Sequence, residues 1–248
     1  MVTSCISRTD ATATSHSNHT MMSQKKVLFV LTSHDQKGNT GKPTGFYLSE
    51  AAHPWKVLHD QGYEVDFVSP RGGEAPVDGF DLKDTVNRIF WEDESVRQKI
   101  ANTMRPSEVN PDDYVAIHYA GGHGTMWDFP DNERLADIAA TIYDRGGAVS
   151  AVCHGPAGLV NIRLDNGEYL VAGKQVNAFT NEEERAAKME DVVPFLLEDK
   201  LIERGAIFEK SGIWQPHVVV DERLITGQNP ASATAVGEAL LRVIESGR

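Results

Sequence analysis

Short, nearly uninterrupted apolar runs constrain this chain more than any other feature. Residues 27–31 read Val-Leu-Phe-Val-Leu, and residues 114–119 and 148–152 form two further runs. Five residues are few for a helix, and a strand with one wet face would alternate apolar with polar. Strands buried on both faces, as in a parallel sheet covered by helices, show no alternation. Another strand is expected at 63–68, directly after Gly62. Helical stretches separate the runs: 46–61, interrupted only by Pro54; 95–104; 133–145, with Asn132 placed to cap it; 192–204; and 231–244. Short strands are expected near Ile207, at 217–220 and at 224–226, and the Gly-, Pro- and Asp-rich residues 70–91 read as an irregular excursion. Alternating strands and helices specify an α/β fold with a mostly parallel sheet sandwiched by helices.

No internal repeat and no Pro- or Gly-rich linker divides the chain, so residues 25–248 are expected to form a single domain. Residues 1–24 are rich in Ser, Thr and His and lack the apolar middle of a secretory signal; they read as a disordered leader or extension. A net charge of −12 argues against nucleic acid and anionic membranes as partners. No apolar run approaches the ~20 residues of a membrane span. The two cysteines, Cys5 in the leader and Cys153 in the folded part, are ill placed for a framework disulfide. A reduced thiol in an acidic chain suits a cytoplasmic protein.

Cys153 follows the run at 148–152 and is succeeded by His154-Gly155-Pro156. Strand, nucleophile, then a helix opening with Gly and Pro is the geometry of a nucleophile elbow, which exposes the reactive atom at the carboxyl end of a strand. The helix N-terminus is expected to favour the thiolate and lower its pKa. The His154 N–H is then free to donate to an oxyanion. The plainer alternative is an inert buried cysteine.

Three other stretches carry chemistry. Gly121-Gly122-His123-Gly124 closes the run at 114–119, and the Gly122 N–H is a candidate second oxyanion donor, if the glycines are not simply a turn. Glu50 lies early in the first helix among small and apolar residues; it is either a solvated helix glutamate or a buried proton carrier with a raised pKa. Glu182, Glu183 and Glu184 follow Phe179-Thr180-Asn181, where they either serve a helix dipole or supply the acid that orients His154. His34, His53, His59, His118 and His217 show no metal-ligand spacing, so no metal is expected.

Taken in order, these residues resemble the PfpI superfamily, within the flavodoxin-like, class I glutamine amidotransferase-like fold, and within it the branch of heat-shock chaperones and glutathione-independent glyoxalases (glyoxalase III). The carriers are Thr44-Gly45 through Glu50-Ala51 and His53-Pro54, Gly122-His123-Gly124-Thr125 with Asp128, Cys153-His154-Gly155-Pro156, Phe179-Thr180, and Thr226-Gly227-Gln228-Asn229-Pro230. The resemblance implies Cys153 as nucleophile, His154 beside it, Glu50 as the buried glutamate, and an acid a few residues past Phe179-Thr180. Spacing favours Glu184, with Glu182 and Glu183 as alternatives. It further implies a homodimer and a cofactor-independent enzyme acting on a small dicarbonyl such as methylglyoxal or glyoxal. The competing expectations are a stress-response holding chaperone and a cysteine amidohydrolase or peptidase on the same fold.

Overall fold

The computed structural model describes residues 25–247, together with Met1. The expectation of a leader at residues 1–24, Cys5 included, lies outside the described residues apart from Met1.

β1 (Lys26–Val30) is buried on both faces, as its composition requires. The chain returns through β2 (Phe46–Tyr47), α1 (Leu48–Asp60) and β3 (Glu64–Val68). The first helix thus starts two residues later than expected. The Phe46 N–H donates to the Pro76 carbonyl and pulls that segment into a short pairing with β4 (Val77–Asp78). The expected irregular excursion at 70–91 is also corrected, because it contains β4 and most of α2 (Thr85–Glu92). Asp84 caps α2 by accepting the Asn87 N–H, and Phe90 buries its ring. A local excess of turn residues masked both elements.

α3 (Glu94–Ala101) leads to β5 (Ala116–Tyr119), followed by the one-turn α4 (Thr125–Asp128), α5 (Glu133–Asp144) and β6 (Ala148–Val152). Asn132 caps α5 through the Leu135 N–H. β7 (Gln175–Val176), α6 (Asn181–Ala186) and α7 (Leu197–Glu203) come next. α7 begins five residues later than expected, since Pro194 biases the residue before it away from helix. β8 (Ile207–Phe208), β9 (Val218–Asp221), β10 (Leu224–Gly227) and α8 (Ala233–Ser246) complete the described chain.

The main sheet has the order β3-β1-β5-β6-β10-β9, parallel throughout except for β9 at one edge. Successive side chains of β1 feed opposite cores. Leu28 and Val30 pack on the side of Leu135 and Ile138 from α5 and Leu201 from α7. Val27, Phe29 and Leu31 pack on the side of Leu48 and Trp55 from α1 and Val236 and Leu240 from α8. The chain leaves β1 toward β3 and comes back on the other side at β5. This topological switch opens a crevice at the carboxyl ends of the strands. Among the described residues, no helix is long and apolar enough to cross a membrane.

Candidate active site

Cys153 follows β6 directly and holds a left-handed backbone conformation, φ 62°, which is strained for a residue with a Cβ. Two bonds hold it there: its N–H donates to the Gly227 carbonyl at 2.9 Å, and its carbonyl accepts the Phe179 N–H at 2.9 Å. The expected helix behind the elbow is only a four-residue 3-10 turn, Gly155–Gly158. The expectation of a lowered thiol pKa is likewise corrected. Burial, followed by the neighbouring Glu50, pushes the Cys153 thiol well above its ordinary value. A thiol in this position needs a base.

His154 is placed to act as one. Its Nδ1 lies 3.5 Å from the Cys153 sulfur and its Nε2 lies 2.8 Å from Glu184 Oε2. The other oxygen of Glu184 lies 2.7 Å from His123 Nε2. A carboxylate only accepts, so both histidines must present Nε2–H to Glu184, leaving the His154 Nδ1 lone pair facing the thiol. Burial opposes ionisation of Glu184, but His154 and His123 outweigh it and hold the carboxyl down to about 2. His123 is itself held to about 4, chiefly by burial and then by His154. Of the three consecutive glutamates, Glu184 meets His154, Glu182 is exposed, and Glu183 is buried but points elsewhere.

Glu183 closes a capping box with Thr180. Its two oxygens accept from the Thr180 N–H and hydroxyl, Gln228, Asn229 and the Trp214 N–H, at 2.9–3.2 Å. Trp214 also has positive φ, 62°, and this carboxylate helps to hold it. Its ring stands 5.7 Å from Phe179, whose ring lies 4.2 Å from His154. The Thr226-Gly227-Gln228-Asn229 stretch therefore anchors the wall of the site.

Glu50, in the first turn of α1, is fully buried, and among the described residues neither carboxyl oxygen has a well-formed hydrogen bond. Burial raises its pKa to about 8, an effect offset only in part by the Cys153 thiol and the Gly121 N–H that face it. Glycine is required on that side, because a Cβ on Gly121 would stand 2.2 Å from Glu50 Oε2. Gly122 has φ +114°, and a Cβ there would stand 2.1 Å from the Gly45 carbonyl oxygen. Neither the Gly122 nor the His154 N–H donates to a backbone carbonyl in the turns and loops around them. The Thr125 hydroxyl lies 2.9 Å from the carbonyls of both residues and ties the two loops together.

The structure thus brings together Cys153, His154, Glu50, Glu184 and Gly122, and adds His123, to which the sequence reading assigned no role. The signal for His123 is its place between two glycines just after a strand. His123, His154 and Glu184 also place three ligand-type atoms within 4.8 Å of one another. Those atoms already form the hydrogen bonds just described, so a metal ion there would displace them. A surface cleft of about 770 Å³, lined by Arg71, Trp91 and Arg97 among others, contains none of these groups.

A family model described as the DJ-1/PfpI family matches residues 43–243. The chain is 35% identical over 232 residues to glyoxalase 3 of Candida albicans, covering 89% of this chain and 98% of that protein. It is 36% identical over 230 residues to a glutathione-independent glyoxalase of Saccharomyces cerevisiae, covering 86% and 94%. Among solved structures it is similar to the 24 kDa rapid encystment protein of Francisella tularensis, with a TM-score of 0.85, 41% identity, and 89% and 99% of the two chains covered.

Proposed function

The chain belongs to the DJ-1/PfpI family, and on that premise we propose that it is a glutathione-independent glyoxalase, converting methylglyoxal or glyoxal to lactate or glycolate through an adduct on Cys153. The observation that carries this reading is the buried Glu50 carboxyl beside the thiol, with its pKa raised to about 8. A cysteine hydrolase needs a nucleophile, a base and an oxyanion site, and Cys153, His154 and Glu184 with the Gly122 and His154 amides supply those. A second proton carrier on the same sulfur serves a reaction that moves a proton between adjacent carbons.

The steps follow from the groups present. His154 takes the thiol proton through Nδ1 as sulfur attacks the aldehyde carbon, then delivers it to the new oxyanion, giving a hemithioacetal. The Gly122 and His154 N–H groups stabilise that oxygen while it carries charge. Glu50, present in both protonation states near neutral pH, removes the hydrogen from the former aldehyde carbon and returns it to the neighbouring carbon. His154 moves the oxygen-bound proton from the first oxygen to the second, and the product is a thioester of the 2-hydroxy acid. Water assisted by His154 then adds to the acyl carbon, releasing the acid and restoring the thiol. Cysteine stands where glutathione would, so the chemistry calls for no cofactor. The free, buried Cys153 thiol fits a reducing, cytoplasmic setting.

The test is lactate formation from methylglyoxal without glutathione. Wild type is expected to produce it and Cys153→Ala to produce none; a Cys153→Ala variant with undiminished activity overturns the reading. A panel of peptide and glutamine substrates, expected to be inert, separates it from amide hydrolysis.

A further inference from the structure

Glu50 is held in place by an unusual device. In an α-helix the carbonyl of residue i accepts the N–H of residue i+4. For Glu50 that residue is Pro54, which lies inside α1 and has no N–H. The carbonyl would be a buried, unpaired acceptor, yet His118 on β5 reaches across, with its Nε2 3.0 Å from the Glu50 oxygen. A carbonyl only accepts, so Nε2 carries the hydrogen and Nδ1 is the acceptor. The Ser150 hydroxyl on β6 lies 2.8 Å from that Nδ1 and completes the chain of donors. His118 and Ser150 are fully buried, and burial holds His118 neutral, down to about 4.

Few other groups orient this glutamate. Among the described residues its carboxyl oxygens find no well-formed hydrogen bond, and Tyr47, at the N-cap of α1, makes no side-chain cap. The carboxyl, faced by the Cys153 thiol and the Gly121 N–H, is carried to them by the backbone of the first turn. Pro54 in turn sits at a close approach of α1 and α8, since a Cβ on Gly237 would lie 2.8 Å from the Pro54 Cα.

We propose that His118 is a positioning residue for Glu50: it supplies, from the neighbouring strand, the N–H that Pro54 withholds, and so sets where the Glu50 carboxyl stands against the Cys153 thiol. This rests on the reading of Glu50 as the proton carrier of the reaction. Pro54 and His118 act as a matched pair, and Ser150 fixes the tautomer that makes the pairing work.

The test is a coupled set of variants in the full chain. The amide of His118→Gln reaches the position of Nε2, whereas that of His118→Asn reaches only the position of Nδ1. His118→Asn is expected to lower kcat for methylglyoxal about tenfold with KM within about twofold, and His118→Gln to keep at least half of wild-type kcat. Adding Pro54→Ala to His118→Asn restores a helical N–H to the Glu50 carbonyl and is expected to recover much of the loss. Equal kcat for the Asn and Gln variants, or a Pro54→Ala change that adds its own loss, overturns the proposal. A second arm follows alkylation of Cys153 by iodoacetamide, read by mass spectrometry of the Cys153 peptide, and needs no turnover. His118→Asn, which lets Glu50 draw away from the thiol whose pKa it raises, is expected to speed it about threefold and His118→Gln to leave it within a factor of two. If wild type forms no lactate, the glyoxalase reading fails while this arm still decides the positioning role.

Discussion

Glu50 and Glu184 are both buried, both glutamates and both assembled around the Cys153–His154 pair, yet they are pushed in opposite directions. Glu184 accepts from two histidine N–H groups and stays ionised down to about 2. Glu50 has no cationic partner among the described residues and keeps its proton up to about 8. Burial raises the pKa of both; the partners decide the sign of the final shift. Glu184 is thereby suited to fix the tautomer of His154 and Glu50 to exchange protons with substrate, a division of labour set by surroundings alone.

The sharpest way to break this comparison is Glu184→Gln. The amide oxygen would still accept from one histidine, but the NH₂ would face the N–H of the other, so that histidine must change tautomer. If that histidine is His154, its Nδ1 lone pair is lost. We expect kcat to fall on the order of a thousandfold in steady-state lactate formation. Glu50→Gln comes next, with kcat falling about a hundredfold and an opposite effect on stability. The folded protein keeps a proton on Glu50 that the unfolded chain releases above about pH 4.5, so this site costs stability increasingly from about pH 4.5 to about pH 8. Melting temperatures of Glu50→Gln and wild type should coincide at pH 4.5, and the variant should melt higher at pH 8. A variant that melts lower at pH 8 would mean that Glu50 is stabilised by partners as Glu184 is.

Smaller effects sharpen the Glu184 side. His123→Phe keeps a ring beside His154 but removes one N–H from Glu184, and should lower kcat about tenfold. Glu183→Gln keeps one acceptor oxygen and puts an NH₂ where the other stood, facing either the Thr180 N–H or the Trp214 N–H. It should cost about 1–3 kcal/mol in urea unfolding, with only a few-fold loss of kcat. A loss as large as that of Glu184→Gln would show that the two adjacent glutamates act as one unit.

Much of this was legible in the chain. The apolar runs specify a sheet buried on both faces because a side chain that never meets water need not alternate. Cys153 and His154 stand out because strand, nucleophile and Gly-Pro lie next to one another in sequence. Glu184 could be favoured by spacing, but its two neighbours differ from it only in direction, and direction depends on the turn that Thr180 caps. His123 and His118 were harder to read, since each meets its partner across 61 and 68 residues. The one local hint for His118 was Pro54, four residues after Glu50.

Local pattern alone therefore determined the strand order of chemistry along the chain: the elbow at Cys153, the glycines at 121–122, the glutamate of the first helix and the acidic turn after Phe179. The state of those groups was decided in three dimensions. A helix N-terminus behind Cys153 would lower the thiol pKa, yet the folded protein raises it, because burial and the approach of Glu50 outweigh a single 3-10 turn. Desolvation and charge act through space, so the protonation of Cys153, Glu50 and Glu184 is a property of the packed site and of no segment by itself.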